Sequence, residues 1–198
     1  SRIEIISTDN IFNKDVNWWV SLLKGVDVVI HAAWYTEHGK YLNSPINFDC
    51  LLGTLNLLKA IQISKINHFI GIGSCFEYDF NYSNKPFNIN SPTKAVSPYI
   101  ISKLSVFNAI KLLKSTSNFN FSWCRVFYLY GEGEDSRRLI PYINNCLTNS
   151  VKVVLNNAHS IRDYINVIDA SKMIVQISLN EKIGIFNICS GYKQPLKV

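Results

Sequence analysis

Short apolar runs alternate with longer segments of helical periodicity along this 198-residue sequence. The run at 26–31 is almost continuously apolar, which is typical of a strand buried on both faces. The strand-like runs are 3–7, 26–31, 68–72, 121–129 and 183–189, and the helix-like segments are 47–64, 99–115, 139–147 and 167–179. Strands that alternate with helices of this length predict βαβ crossovers, and therefore an α/β fold with a doubly wound parallel sheet.

The composition is that of an ordinary globular protein, with 47% hydrophobic and 17% charged residues. A chain of this length can bury a hydrophobic core without disulfides or metals. The net charge of +6 comes from 20 basic and 14 acidic residues, and the lysines are spread along the chain. Because nucleic-acid-binding proteins concentrate their positive charge on one face or helix, we expect no nucleic-acid partner.

The cysteines and histidines do not show the spacing of a metal site or a disulfide framework. The sequence also lacks a secretory signal and an apolar run near 18 residues, so we expect a cytoplasmic protein with reduced thiols and no membrane association. The residues in question are Cys50, Cys75, Cys124, Cys146, Cys189, His31, His38, His68 and His159.

The polar segment at 78–98, which contains three prolines, predicts a long surface loop that leads into the next helix. Ser97 and Pro98 mark the start of that helix, because serine caps helix N-termini and proline suits the first turn.

A glycine-rich turn normally follows the first strand of a nucleotide-binding sheet, so that backbone amides can approach a pyrophosphate. No such turn follows the run at 3–7, and we therefore expect the chain to be a fragment that lacks the first βαβ unit. The pair Gly71 and Gly73 does not replace it, because Phe76 occupies the third glycine position. Gly131 and Gly133 are flanked by acids that would repel a phosphate.

Tyr99 and Lys103 lie four residues apart on a predicted helix, which places them on the same face. A nearby ammonium favours the phenolate form of a tyrosine, so we expect Lys103 to lower the pKa of Tyr99 and make it an acid/base group. Ser74 ends a predicted central strand, at the edge where doubly wound sheets bind ligands. The alternative is a helix face on which Tyr99 packs in the core and Lys103 is solvated.

Seven segments, in the same order, resemble the extended short-chain dehydrogenase/reductase family, in particular its NAD(P)-dependent nucleotide-sugar epimerase/dehydratase branch. They are Asp27-Val-Val-Ile-His-Ala-Ala33, Asn47 to Leu58 with Gly53-Thr54, Phe69 to Ser74 followed by Tyr78, Pro98-Tyr99-x-x-x-Lys103, Arg125 to Gly131, Arg162 to Asp169, and Phe186 to Gly191. The resemblance implies a Rossmann-like domain, and we expect residues 1–130 to be part of it. Residues 131–198 would combine part of a small substrate-binding lobe with returning elements of the Rossmann domain.

The same resemblance implies that Ser74, Tyr99 and Lys103 are catalytic. Tyr99 and Lys103 would also contact the cofactor, which would be NAD or NADP. Ala32 and Ala33 would line the cofactor cleft.

Three further roles follow from the resemblance. Asp9 falls where the family places an acid beside the adenine. Ser74, Tyr128 and Arg162 would bind the nucleotide-sugar substrate, with Arg162 on its pyrophosphate. Tyr128 replaces the asparagine of the family, and Arg162 could instead form a local ion pair with Asp163.

The expected function is epimerisation of a nucleotide sugar through a keto intermediate. The alternatives are a ketoreductase of the same fold and a relative without catalytic activity. Cys75 and Phe76 occupy the positions of the Asp-Glu pair that eliminates water in 4,6-dehydratases, so we do not expect dehydration. The resemblance also implies a homodimer, joined through the helices that begin near Asn47 and Tyr99.

Overall fold

The computed structural model describes residues 3–82, 85–117, 119–155 and 160–192, and the backbone of 194–195. Its strands are β1 (Val28–His31), β2 (His68–Ser74), β3 (Asn120–Val126), β4 (Tyr128–Tyr130), β5 (Ile161–Arg162), β6 (Tyr164–Asn166), β7 (Gly184–Ile188) and β8 (Gln194–Pro195). Four of them form a parallel sheet in the order β1-β2-β3-β7. β4 pairs with β6 in parallel, and β5 pairs with β8 in antiparallel fashion.

Helices connect the strands: α1 (Val16–Leu22), α2 (Ile46–Ile63), α3 (Pro98–Thr116), α4 (Leu139–Thr148) and α5 (Val167–Leu179). The start of α3 is fixed by its cap, because the Ser97 side chain accepts a hydrogen bond from the Ile100 amide (3.3 Å) and Pro98 occupies the first turn. Asn166 caps α5 in the same way through the Ile168 amide (2.9 Å).

Both faces of the parallel sheet are covered by helices. On one face, α1, α2 and α3 pack over a core that includes Leu57, Ile61, Phe69, Ile110 and Trp123. On the other face, α5 packs over Ile70, Cys124 and Ile188. The prediction of a doubly wound, Rossmann-like parallel sheet is therefore confirmed.

The prediction of a strand at 3–7 is wrong. These residues form no strand, and the side chains of Ile3 and Ile5 are 86% and 85% exposed. The apolar, β-branched residues alone do not make a strand, because no strand of the described ranges pairs with them. β1 also differs from the expected doubly buried strand, since it lies at an edge of the sheet and Ile30 is 45% exposed.

The predicted helices at 47–64, 99–115, 139–147 and 167–179 are all present within one residue at each end. The run at 121–129 is interrupted at Phe127, where the chain leaves the sheet and continues as β4. The short helix α1 was not expected from the sequence. The division of the chain at residue 130 stays a prediction.

The segment between β2 and α3 begins with a 3₁₀ turn at Cys75–Glu77 and continues as the expected surface loop. Backbone hydrogen bonds fold this loop back on itself, from the Asp79 amide to the Pro92 carbonyl (2.8 Å) and from the Lys94 amide to the Glu77 carbonyl (2.9 Å).

No helix in the described ranges has the length and apolar character needed to cross a membrane. Within the same part of the chain, no three His, Cys, Asp or Glu side chains are grouped to hold a metal ion. All five cysteines are free thiols. His159 lies outside the described residues.

Candidate active site

Ser74, Tyr99 and Lys103 come together at the carboxyl end of β2. Ser74 is the last residue of this strand, and the other two occupy the first two turns of α3. The ammonium of Lys103 donates a hydrogen bond to the carbonyl of Ile72 (2.8 Å), two residues before Ser74. All three side chains belong to buried residues, with exposed fractions of 8%, 8% and 5%. The reading in which Lys103 is simply solvated is therefore wrong.

The protonation of Tyr99 differs from the expectation. Burial raises the pKa of the phenol above its usual value, and hydrogen bonding with Ser74 only partly opposes this effect. Burial also lowers the pKa of Lys103 to about 7, while the negative charge of Glu77 acts in the opposite direction. The prediction of a lowered Tyr99 pKa is wrong, because burial penalises the phenolate and the nearby charge of Glu77 raises the pKa further.

The backbone of Ser74 is held by Glu77, a residue that the sequence analysis did not single out. The Ser74 amide donates to Glu77 Oε1 (2.8 Å), and the Ser74 hydroxyl accepts from the Phe76 amide (3.2 Å). Glu77 is completely buried, and its Oε2 accepts hydrogen bonds from Arg125 Nε (2.8 Å) and Trp123 Nε1 (3.0 Å). The spacing Ser74-x-x-Glu77 is a capping-box signature and was readable from the sequence.

Gly71 and Gly73 make room for the groups beneath Ser74 rather than for a phosphate. A Cβ at Gly71 would lie 2.5 Å from the Trp123 ring. A Cβ at Gly73 would lie 2.4 Å from Trp123 Nε1 and 2.5 Å from Glu77 Oε1. Both glycines are therefore needed by the packing of Trp123 across β2.

Tyr78 ties the turn after Ser74 to the far side of the sheet. Its hydroxyl donates to Asn187 Oδ1 on β7 (2.6 Å), and the Arg125 guanidinium lies over its ring, 4.6 Å from the centre. The turn that presents Ser74 is therefore held by contacts with Arg125 on β3 and Asn187 on β7.

Three aromatic side chains, Phe76, Tyr128 and Tyr164, form a cluster that begins two residues after Ser74. Tyr128 packs edge-on against Phe76, with 5.7 Å between ring centres, and lies tilted against Tyr164 at 5.5 Å. The guanidinium of Arg162 lies 4.8 Å from the Tyr128 ring centre, and its Nε donates to Ser160 Oγ (3.1 Å). The structure therefore brings Tyr128 and Arg162, two of the three expected substrate-binding residues, into contact.

Arg162 does not pair with Asp163, which was the alternative interpretation of this dipeptide. Asp163 instead accepts three hydrogen bonds from the turn after β7: from the Ser190 amide (2.8 Å), the Ser190 hydroxyl (2.7 Å) and the Gly191 amide (2.8 Å). Among the described residues, Arg162 has no acidic partner within 4.0 Å. Its planar set of N–H donors suits a phosphate.

Neither Cys75 nor Phe76 carries the carboxylate that the Asp-Glu pair of a 4,6-dehydratase would supply. Phe76 has no titratable group, and Cys75 is buried beside Ser74. Burial raises the pKa of this thiol to about 12, so it is neutral at physiological pH.

The residues expected at the cofactor lie along the same edge of the sheet, with one remote exception. Ala32 and Ala33 directly follow β1; Ala32 is exposed and Ala33 is half-buried. Their small side chains and the unused N–H donors of Lys103 fit the ribose and nicotinamide end of a dinucleotide. Asp9 is an exposed residue ahead of α1, and no described contact joins it to the site, so its role stays a prediction.

Comparison with known proteins identifies the family. The sequence matches the NAD dependent epimerase/dehydratase family over residues 10–189. It is 28% identical to a putative UDP-glucose 4-epimerase of Methanocaldococcus jannaschii, covering 96% of this chain and 63% of that protein. It is 23% identical to a dTDP-6-deoxy-L-talose 4-dehydrogenase (NAD(+)) of Aggregatibacter actinomycetemcomitans, covering 90% and 65%.

Solved structures of epimerases and dehydratases share the fold. A UDP-N-acetylglucosamine 4-epimerase from Methanobrevibacter ruminantium M1 superimposes with a TM-score of 0.83 at 21% identity, covering 95% of this chain and 62% of that one. A dTDP-glucose 4,6-dehydratase double mutant from Streptomyces venezuelae, solved with NAD bound, gives 0.78 at 20% identity, covering 94% and 58%. The chain spans less than two thirds of the length of these relatives. With 180 consecutive residues inside the family match (10–189), the chain belongs to the NAD dependent epimerase/dehydratase family.

Proposed function

We propose that the complete protein epimerises a nucleotide sugar through a keto intermediate, with NAD or NADP as its hydride carrier. The observation that carries this proposal is the convergence of Ser74, Tyr99 and Lys103 at the carboxyl end of β2, where doubly wound sheets bind their ligands. The two curated relatives are named for reactions at the 4-position, which supports C4 of the sugar as the reacting carbon.

Tyr99 is the group that would move the proton. In the oxidative step the sugar hydroxyl gives its proton to Tyr99 Oη, while Ser74 Oγ holds the same oxygen by a hydrogen bond. In the reductive step the proton returns from Tyr99 to that oxygen. Tyr99 must therefore be a phenolate before the oxidative step, and a protonated Lys103 favours that form because opposite charges stabilise each other.

A nicotinamide cofactor, when bound, supplies the hydride acceptor and donor for this chemistry. Lys103 would hold its ribose, since the bond to Ile72 uses only one of the three ammonium donors. Ala32 and Ala33 would lie along its cleft, and Asp9 would lie beside the adenine. Arg162 would bind the pyrophosphate of the substrate, with Tyr128 below the guanidinium.

The second candidate is a nucleotide-sugar ketoreductase, and the state of Tyr99 favours it. Because burial keeps the phenol protonated, Tyr99 starts in the form that donates a proton to a ketone oxygen. In this reaction the hydride stays on the product. Dehydration is disfavoured in both candidates by the neutral, buried Cys75 and the apolar Phe76.

The experiment uses the full-length protein and a panel of nucleotide sugars, with products followed by NMR. An epimerase forms the epimer at catalytic NAD without net change in nicotinamide absorbance, whereas a ketoreductase consumes the reduced cofactor in proportion to product. Tyr99→Phe and Lys103→Met should each lower kcat/KM by roughly 10² to 10⁴.

Tyr82→Phe and Lys111→Met are matched controls, since Tyr82 is 66% exposed and Lys111 lies on the exposed side of α3. Both should keep full activity. Full activity of Tyr99→Phe would show that this tyrosine is not catalytic, and binding without turnover on any sugar would support the non-catalytic relative.

We also propose a homodimer formed through α2 and α3. Both helices expose large apolar side chains: Phe48, Leu52 and Ile63 on α2, and Ile101 and Leu112 on α3. Leu52→Asp should shift the protein to a monomer in sedimentation equilibrium. Leu147→Asp on α4, where the leucine is 65% exposed, should leave the assembly unchanged.

A further inference from the structure

Lys103 is a buried lysine that no carboxylate of the described residues contacts. Its exposed fraction is 5%, and within the described residues no acidic group lies within 4.0 Å of its Nζ. The contacts of the ammonium are the carbonyl of Ile72 (2.8 Å) and the ring of Trp34, whose centre is 3.7 Å away. A cation this close to an indole face is attracted by the ring quadrupole, and more strongly when both groups are desolvated.

Trp34 is held in this position by Asn47. The indole Nε1 donates to Asn47 Oδ1 (2.8 Å). Asn47 is completely buried, and its Nδ2 donates to the carbonyls of Tyr41 (2.5 Å) and Ser44 (2.8 Å). Because these three bonds use both amide protons and the amide oxygen, Asn47 has little freedom to rotate, and neither does the indole bonded to it.

The same amide also positions a contact to Tyr99. Asn47 fixes the backbone of Tyr41, whose ring meets the Tyr99 ring edge-on at 5.0 Å and 89°. Next to it, the carbonyl of Leu42 accepts a hydrogen bond from the Tyr99 amide (3.1 Å). One buried asparagine therefore supports an aromatic side chain on each member of the Tyr99–Lys103 pair.

We propose that Trp34 is a positioning residue for Lys103, acting through its π face in place of a carboxylate partner, and that Asn47 sets the position of Trp34. The role of this contact in catalysis rests on the proposed function. The contact between Trp34 and Lys103 can itself be tested without turnover.

The other titratable groups around Lys103 do not replace this contact. His31, on β1, is neutral, because burial and the Lys103 charge lower its pKa to about 3, and its Nε2 hydrogen bonds to Thr54 Oγ1 (2.8 Å). Cys50, on α2, is a thiol whose pKa is raised by burial. Tyr99 is also kept neutral by burial, and the charge of Glu77 is paired with Arg125.

Fluorinated tryptophans placed at position 34 of the full-length protein test the proposal, because each fluorine weakens the π face while the indole keeps its shape and its N–H. The pKa of Lys103 is measured by NMR of lysines labelled at the ε-carbon, with Lys103→Arg used to assign the signal. Since the π face favours the ammonium, we expect this pKa to fall stepwise with fluorine number, by roughly one unit across the series. The pH profile of kcat should shift in the same direction.

Trp18 provides the matched control, because it is also half-buried and Lys14 lies over its ring at 5.4 Å. Fluorination at Trp18 should leave the Lys103 pKa and the kcat profile unchanged. A Lys103 pKa that does not respond to fluorine at position 34 would overturn the proposal. This outcome is independent of the proposed function, which fails separately if no nucleotide sugar is turned over while the NMR response is present.

Trp34→Phe separates the roles of the ring and its N–H. Phenylalanine keeps a π face but cannot donate to Asn47. We expect kcat to fall by about tenfold with little change in KM for the sugar, and Asn47→Ala to give the same pattern. A variant that changes thermal stability alone, with kcat and its pH profile intact, would show that this contact is only structural.

Discussion

The carboxylate of Glu77 and the guanidinium of Arg125 form an ion pair at 2.8 Å, with side chains 0% and 2% exposed. The pair lies directly below Ser74, because the same carboxylate accepts the Ser74 amide (2.8 Å). Trp123 donates a further hydrogen bond to it. The group that orients the sugar oxygen in the proposed mechanism is therefore supported by buried charges rather than by packing alone.

Replacing Glu77 with Gln should destabilise the protein by about 3–5 kcal/mol, because it leaves the charge of Arg125 buried without a partner. The free energy of unfolding in urea at pH 7 measures this effect. Asp135→Asn is the control, since the Asp135–Arg137 pair has a similarly short contact (2.6 Å) but lies at the surface. Equal stability of the Glu77 and Asp135 variants would contradict the argument.

A methyl group added at Gly73 should disturb Ser74 through its support. The new Cβ of Gly73→Ala would overlap Trp123 and Glu77, which costs about 1–3 kcal/mol when a packed core must shift. We expect lower thermal stability together with a loss of kcat. Gly25→Ala, at a positive φ of 74° in open space, should lower stability but leave kcat intact.

Because of Lys103, the free energy of unfolding should rise as the pH increases above 7. Its pKa of about 7 in the folded state lies below the value near 10.4 of an unfolded lysine. The unfolded chain therefore binds more protons between these values, and wild-type stability should rise relative to Lys103→Met as the pH increases from 7 to 10. The difference should be on the order of a few kcal/mol, measured by urea unfolding of both proteins at pH 7 and pH 9.5. A constant difference between the two proteins would show that Lys103 has an ordinary pKa.

Arg162→Met should weaken substrate binding rather than chemistry. Losing a charge-assisted hydrogen bond of about 1.5–3 kcal/mol corresponds to a KM for the nucleotide sugar raised roughly ten- to hundredfold. The expected change in kcat is small, because Arg162 would contact the pyrophosphate and not the reacting carbon. Arg137→Met, which alters an exposed arginine paired with Asp135, is the control for loss of positive charge. A drop in kcat at unchanged KM would place Arg162 at the reacting centre instead.

The arrangement of helices and strands was largely predictable because periodicity and caps are local. Ser97 and Pro98 mark α3 within one residue, and the alternating runs predict the parallel sheet. The run at 3–7 has the residues of a strand, yet a strand also needs a neighbour to pair with, which a local pattern does not reveal. The short α1 is not predicted by the sequence pattern, because its seven residues give too few turns for a clear periodicity.

The spacing of Tyr99 and Lys103 predicts that they share a helix face, and the resemblance to the dehydrogenase/reductase family predicts that they are catalytic. What surrounds the pair could not be derived in this way. Trp34 reaches Lys103 across 69 positions of sequence, and Arg125 reaches Glu77 across 48, so both contacts exist only once the sheet has formed. The effect of burial on Tyr99 likewise depends on the Tyr41 segment that covers it.

The three hydrogen bonds that Asp163 accepts from Ser190 and Gly191 have a mechanical consequence for its neighbour Arg162. They fasten β5 and β6 to the end of β7, and the Tyr128 amide adds a bond to the Asp163 carbonyl (3.2 Å). The backbone of Arg162 can therefore move relative to the end of β7 only if these bonds break or the whole sheet edge moves with it. If Arg162 binds the pyrophosphate as proposed, a sugar nucleotide with a longer or shorter link between its phosphates and its sugar would present a different carbon to Tyr99.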